Sequence, residues 1–245
     1  MSQGGSTFPR FLDAGEAALV VEFGDRVDAE LNNRVLSLDA AISDLALSGV
    51  RETVPTYRSL MIHYDPLSID RDALIETIGR LFQGKHAPRR ALSRWMVPCC
   101  YDGVLGEDLA QIAALCGLSI GRVVELHVQA AYRVYMYGFA PGFCYLGGTP
   151  EELAVSRRAS PRPPTRPNVV LLAGGLSLIS TVSMPTGWWI IGTTPERMFA
   201  PEREPVFLAE VGDLVEFDPI DKPTFDALKM RAGAGEIVAV RKSVA

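Results

Sequence analysis

Residues 132–162 read YRVYMYGFAPGFCYLGGTPEELAVSRRASPR. The aromatic and β-branched run from Tyr132 predicts a strand. Gly138, Pro141, Gly142, Gly147 and Gly148 then crowd among Phe139, Phe143 and Tyr145. Glycine permits positive φ and close backbone approach, proline fixes φ, and the rings supply rigid contact area, so this composition suits the wall of a binding site. Arg157, Arg158 and Arg162 follow, and guanidinium groups suit carboxylate or phosphate recognition. The plainer reading is a tight turn with a solvated basic rim.

Downstream, short β runs alternate with Gly and Pro: Val169–Ala173, Leu176–Val182, Trp188–Ile191, Val206–Leu208, Leu214–Phe217 and Glu236–Arg241. Many short strands with turn signals predict a β-barrel or sandwich. Upstream of the stretch lie a strand, Arg94–Tyr101, and two helices near Glu107–Cys116 and Gly121–Ala130, the second with Ser119 as cap. The polar, basic segment Gln83–Ser93, QGKHAPRRALS, reads as a linker. Before it the predicted order is β, α, β, β, α. Ala17–Phe23 is the first strand, Asp28 and Asp70 cap the helices, and Leu31, Val35, Leu38, Ile42 and Leu45 recur at helical spacing. The expected class is α+β, a small N-terminal α/β sandwich over 1–88 followed by a barrel over 89–245.

The 245 residues are 48% hydrophobic and 22% charged, with a net charge of −5, which describes an ordinary globular protein without general affinity for nucleic acid. The N-terminus lacks the pattern of a signal peptide and no run reaches the length of a membrane span, so a cytoplasmic protein is expected. Cys99, Cys100, Cys116 and Cys144 form no CxxC pair. They read as small buried hydrophobes, with adjacent Cys99 and Cys100 on opposite faces of a strand, and no metal site is expected.

Several motifs need weighing. Gly79–Lys85, GRLFQGK, matches the start of a phosphate loop, but His86 stands where Ser or Thr should follow and Gly79 falls inside a helical pattern. Ser177, in GLSLI, lacks the second glycine of a nucleophile elbow and reads as a strand residue facing a ligand. Of His63, His86 and His127, only His127, at a helix end just before the quoted stretch, is a catalytic candidate; there it could be favoured as a cation or satisfy the last carbonyls. Alternation predicts that one of Trp188 and Trp189 packs inward while the other meets a partner.

The segments YMYGFAPGFCYLGGTPEEL, RRASPR, PTGWWIIGTTPERMF and VGDLVEF, with LCGLSIGRVVELH and VRETVPTYRSLMIHYDP upstream, resemble the B-subunit family of 5-oxoprolinase, also described as allophanate hydrolase subunit 1 or the sporulation kinase-inhibitor family. The resemblance covers nearly the whole chain and implies a cyclophilin-like barrel after the N-terminal domain. It implies an ATP-dependent opening of the 5-oxoproline lactam to glutamate, carried out with C-subunit-like and A-subunit-like partners, ATP being used by the complex. Phosphorylating the lactam oxygen would make a resonance-stabilised carbonyl a better electrophile, and backbone N–H groups would oppose developing negative charge. The alternatives are a component of allophanate hydrolase type acting on a small amide, and a non-catalytic inhibitor of a histidine kinase.

On this reading His127, Arg157 and Arg158 are the catalytic candidates. Gly138, Phe139, Pro141, Gly142, Phe143, Tyr145, Arg162, Leu176, Ser177 and Trp188 are the substrate-binding ones. Leu176, Ser177, Leu178 and Ser180 stand where the family pattern has glutamine, threonine, glycine and tyrosine, and Cys144 stands for proline. The run Leu176–Ser180 is expected to form a second wall, facing the loop and altered in its hydrogen-bonding groups.

Overall fold

Leu19 and Val21 alternate with Ala18, Val20 and Glu22, and the two fall on one buried side of a strand. The computed structural model describes residues 8–82 and 92–243. The chain divides into two compact units, 1–91 and 92–245. In the first, β1 (Arg10–Asp13), β2 (Ala18–Glu22), β3 (Val50–Pro55) and β4 (Ser59–Tyr64) form an antiparallel sheet ordered β1-β2-β4-β3. Helices α1 (Ala29–Leu45) and α2 (Arg71–Leu81) begin at the expected caps, the Asp28 carboxylate accepting from the amides of Glu30 and Leu31 and that of Asp70 from Ala73. Val35, Leu38 and Ile42 of α1 and Leu74 and Ile78 of α2 cover Leu19, Val21, Leu60 and Ile62 in one core.

The strand β1 was not predicted, so the order is β, β, α, β, β, α. Its four residues at the sheet edge are mostly exposed and carry no alternation to read. Gly79 lies within α2 and so does not begin a phosphate loop. The predicted linker, up to residue 91, and His86 lie outside the described residues.

The second unit contains β5 (Ser93–Cys100), α3 (Leu109–Cys116), α4 (Ile120–Gln129), β6 (Tyr132–Tyr137), β7 (Cys144–Gly147), β8 (Val169–Ala173), β9 (Leu176–Ile179), β10 (Trp189–Thr193), β11 (Leu214–Ile220), α5 (Lys222–Gly233) and β12 (Val240–Ser243). The strands run β10-β8-β9-β7-β6-β11-β5, and β10 returns to β5 through Thr193 and Cys100. Seven strands therefore close a cyclophilin-like barrel, with β12 added on β5.

One buried cluster draws on all seven strands, including Val97, Val134, Leu146, Leu172, Ile179, Ile191 and Phe217, and is joined by Ile112 of α3 and Val123 and Leu126 of α4. It is the barrel interior. A second cluster, Phe143, Val169, Leu171, Ala173, Leu178, Trp188 and Ile190, covers the outer face of β7, β9, β8 and β10. Burial on both faces explains why β8 reads as an unbroken apolar run. Cys99 joins the interior and Cys100 a small outer cluster with Leu105 and Phe225, the split expected from alternation.

Val206–Leu208 is not a strand; only an isolated bridge joins Phe207 to Phe199. Leu176–Val182 stops being a strand at Ile179, and the strand expected at Glu236–Arg241 runs over β12 instead. Helix α5 was not predicted, although Asp221 caps it by accepting from the Thr224 amide and Pro223 sits in its first turn, both recognised start signals. Two buried carboxylates tie loops to the barrel. Asp213 accepts from the amides of Ser93 (2.8 Å) and Glu210 (3.0 Å), and Glu196 from those of Val238 (2.7 Å) and Ala239 (2.8 Å) while pairing with Arg203 (2.9 Å).

Candidate functional site

Tyr137 and Cys144 pair across the β6–β7 hairpin, leaving residues 138–143 as its loop. The Ala140 amide donates to the Gly138 carbonyl at 2.8 Å, a three-residue turn centred on Phe139, whose φ is +69°. This left-handed conformation is uncommon for a bulky residue, and it holds the Phe139 ring 74% exposed at the tip. Gly142, at φ +73°, is required on two counts, because a Cβ there would lie 2.2 Å from the Cβ of Phe199. Thr181 fastens the loop by donating its hydroxyl to the Pro141 carbonyl at 2.7 Å. Between loop and Phe207 opens a shallow cavity of about 340 Å³, lined by Tyr137, Phe139, Ala140 and Pro141 with the two glycines.

From this tip a ladder of rings runs along the outer face of the barrel. Phe139 and Phe143 lie 5.2 Å apart by centroid, Phe143 and Tyr145 6.2 Å, and Tyr145 and Trp188 6.4 Å. At its end the Arg157 guanidinium sits 5.6 Å from the Trp188 ring centre. Burial pushes the Tyr145 phenol up from its ordinary range, and the Arg157 charge pulls it back. The structure thus brings together Gly138, Phe139, Pro141, Gly142, Phe143, Tyr145, Trp188 and Arg157.

The other two arginines go elsewhere. Asp108, 2% exposed, accepts from Arg162 Nη2 at 2.5 Å and Arg158 Nη1 at 3.4 Å through one oxygen and from the Ile190 amide at 2.7 Å through the other. Arg162 also reaches Glu107 at 2.7 Å. Arg158 lies 4.5 Å from the ring centre of Trp189, whose Nε1 donates to the Ser156 carbonyl at 2.7 Å. Both tryptophans pack within the chain, Trp188 in the outer cluster and Trp189 half-buried against the inner one.

Asp108 was missed by sequence reading. It occupies the cap position of α3, yet its carboxylate makes no capping bond and turns instead to β10, a partner 82 residues away. The available signal was the paired acids Glu107 and Asp108 at a predicted helix start, which reads simply as a favourable first turn.

Strand register decides the remaining positions. Leu146 pairs with Ser177 and Tyr145 with Leu178, so β9 is the hydrogen-bonded neighbour of β7 and not a facing wall. Leu176 and Leu178 lie with the outer cluster beneath the ring ladder, giving it an apolar floor. Ser177 points the other way, in register with Leu146 and Leu172 of the interior, fully buried with its hydroxyl unpartnered among the described residues. It does not line the outer face.

His127 is likewise internal. It is fully buried, stacked 4.5 Å from the Phe217 ring, with Nδ1 2.8 Å from the Tyr101 hydroxyl and Nε2 unpartnered among the described residues. Burial lowers its pKa from 6.5 to about 3, so it is a neutral imidazole and not the helix-end cation considered above. Its ring contacts are with Tyr101, Tyr132 and Phe217 of the interior.

A small α+β sandwich sheet with a closed seven-stranded barrel, bearing an aromatic loop and an internally paired arginine segment, defines the class. The carboxyltransferase domain, subdomain C and D, matches residues 9–209, and the chain belongs to that family. It is 32% identical to the 5-oxoprolinase B subunit of Bacillus subtilis (strain 168) over 230 residues, covering 88% of this chain and 94% of that one. The crystal structure of TTHA0988 is similar at TM-score 0.75 and 34% identity, covering 84% of this chain and 40% of that longer chain. Kluyveromyces lactis urea carboxylase shares the fold at TM-score 0.79 and 16% identity, over 96% of this chain and 24% of its own.

Proposed function

We propose that this chain is the B-subunit-like component of a cytoplasmic, ATP-dependent enzyme that opens the lactam of 5-oxoproline, acting with C-subunit-like and A-subunit-like partners. The observation that carries this reading is the 32% identity to a 5-oxoprolinase B subunit over 88% of this chain and 94% of that one. The reaction adds the elements of water across the ring C–N bond and leaves glutamate. The exposed Phe139 tip and the half-buried Tyr145 offer rings to a small flat amide. Gly79 lies mid-helix, so GRLFQGK begins no phosphate cradle, and ATP is used by the complex.

Co-purification with the products of neighbouring genes, followed by an assay of ATP-dependent glutamate release, tests the proposal. A stable complex that turns over 5-oxoproline supports it. Turnover of allophanate alone would move the substrate, and the absence of both a stable partner and turnover would contradict the enzyme reading. The exposure of Phe139 favours a second reading, a non-catalytic module whose loop tip docks on a protein partner. Phe139→Ser would then abolish partner capture in a chain that never turned over an amide.

A further inference from the structure

Three arginines were candidates for an anionic group, and the structure separates them. Arg162 is held by Asp108 and Glu107, and Arg158 by Asp108. Arg166, a fourth cation nearby, donates to Thr193 Oγ1 and to the Val104 carbonyl and lies 3.9 Å from Glu107. Among the described residues no carboxylate pairs with Arg157, which is exposed, and its charge lies over the Trp188 ring and acts on the Tyr145 phenol. A guanidinium lying over a ring face offers the π surface to the ring and keeps its N–H donors in its own plane for an oxyanion. The rings that its charge meets are Trp188 and Tyr145.

We infer that Arg157, laid over Trp188 beside Tyr145, is the carboxylate-binding residue of this chain for a small cyclic amide acid, whose ring would lie against the half-buried Tyr145. The identity of that acid rests on the function proposed above; the carboxylate site itself rests on the geometry. Specificity then comes from the charge: a lactam without a carboxylate lacks the group Arg157 recognises.

The test is calorimetric titration of the full chain, alone and in its partner complex, with 5-oxoproline, with 2-pyrrolidinone, which is the same ring without the carboxylate, and with inorganic phosphate. Arg157→Gln is compared with wild type and with Arg122→Gln, a change at another exposed arginine, on α4. The expected result is that Arg157→Gln raises the dissociation constant for 5-oxoproline by about tenfold or more, as for loss of one charge-assisted hydrogen bond, while Arg122→Gln does not. Wild-type binding of 2-pyrrolidinone is correspondingly weak and indifferent to Arg157→Gln. Unchanged 5-oxoproline binding in Arg157→Gln overturns the inference, as does phosphate competing equally well or the absence of any carboxylate binding. Arg157-dependent binding of glutamate or another small carboxylate without 5-oxoproline keeps the site and refutes the substrate reading alone.

Discussion

Arg157 and Arg158 are neighbours in the chain, and each lies over one of two neighbouring tryptophans, Trp188 and Trp189. The two contacts look equivalent and are not. Alternation sends Trp188 to the outer cluster and Trp189 toward the interior, and only the Arg158 side meets the buried carboxylate of Asp108. A guanidinium with a fixed internal counter-charge is part of the scaffold; an exposed one with no carboxylate partner among the described residues is not. Residue type therefore does not assign function here. Register and the position of one carboxylate do.

The largest effect should come from removing that carboxylate. Asp108→Ala strands Arg158 and Arg162 and leaves the Ile190 amide without its acceptor, and breaking a buried pair from one side costs about 3–5 kcal/mol. Urea unfolding measures it, and a loss no greater than at a surface position would show that the arginine segment is held by something else. Asp108→Asn should be milder, since the amide oxygen can still accept from Ile190.

Next comes a pH effect confined to the interior. The folded pKa of His127 is depressed to about 3 from an ordinary 6.5, so below 6.5 the unfolded chain binds a proton that the folded one refuses. Stability therefore falls as pH drops through that window, by about 1.4 kcal/mol per unit well inside it. Between about pH 7 and about pH 5 the loss from this group is about 2 kcal/mol, and His127→Phe should remove that share of the slope. An unaltered slope in the variant would place the titration elsewhere.

A smaller effect belongs to Ser177. Its buried hydroxyl has no partner among the described residues, so Ser177→Ala should leave stability unchanged or raise it by about 1 kcal/mol. It should also leave ligand binding on the outer face intact. Lost binding in Ser177→Ala would break the distinction between inner and outer faces of β9.

How much of this was legible in sequence differs between local and distant relations. The caps Asp28 and Asp70, the helical stripe of Val35, Leu38 and Ile42, and the split between Cys99 and Cys100 are set by nearest neighbours along the chain, and each was readable. Composition marked Gly138–Phe143 as a loop, though nothing local indicates that Phe139 projects from a left-handed turn. The short edge strand β1 had too little pattern to detect, whereas α5 showed its Asp221 cap and early Pro223 and could have been read.

The misplaced wall is the most instructive case. The sequence reading set Leu176–Ser180 opposite the loop, but its pairing beside β7 is a relation between strands far apart along the chain. A period of two then turns Ser177 inward and Leu178 outward once that register is known. Asp108 was hidden for the same reason, its partners Arg158, Arg162 and Ile190 all being distant in sequence.

The division between the two arginines is tested most directly by unfolding Arg157→Ala and Arg158→Ala side by side in urea. Arg158→Ala should lose about 2 kcal/mol, from its charged hydrogen bond to Asp108 and its contact with Trp189, while Arg157→Ala keeps the wild-type midpoint. Equal losses, or a greater loss at Arg157, would contradict the account.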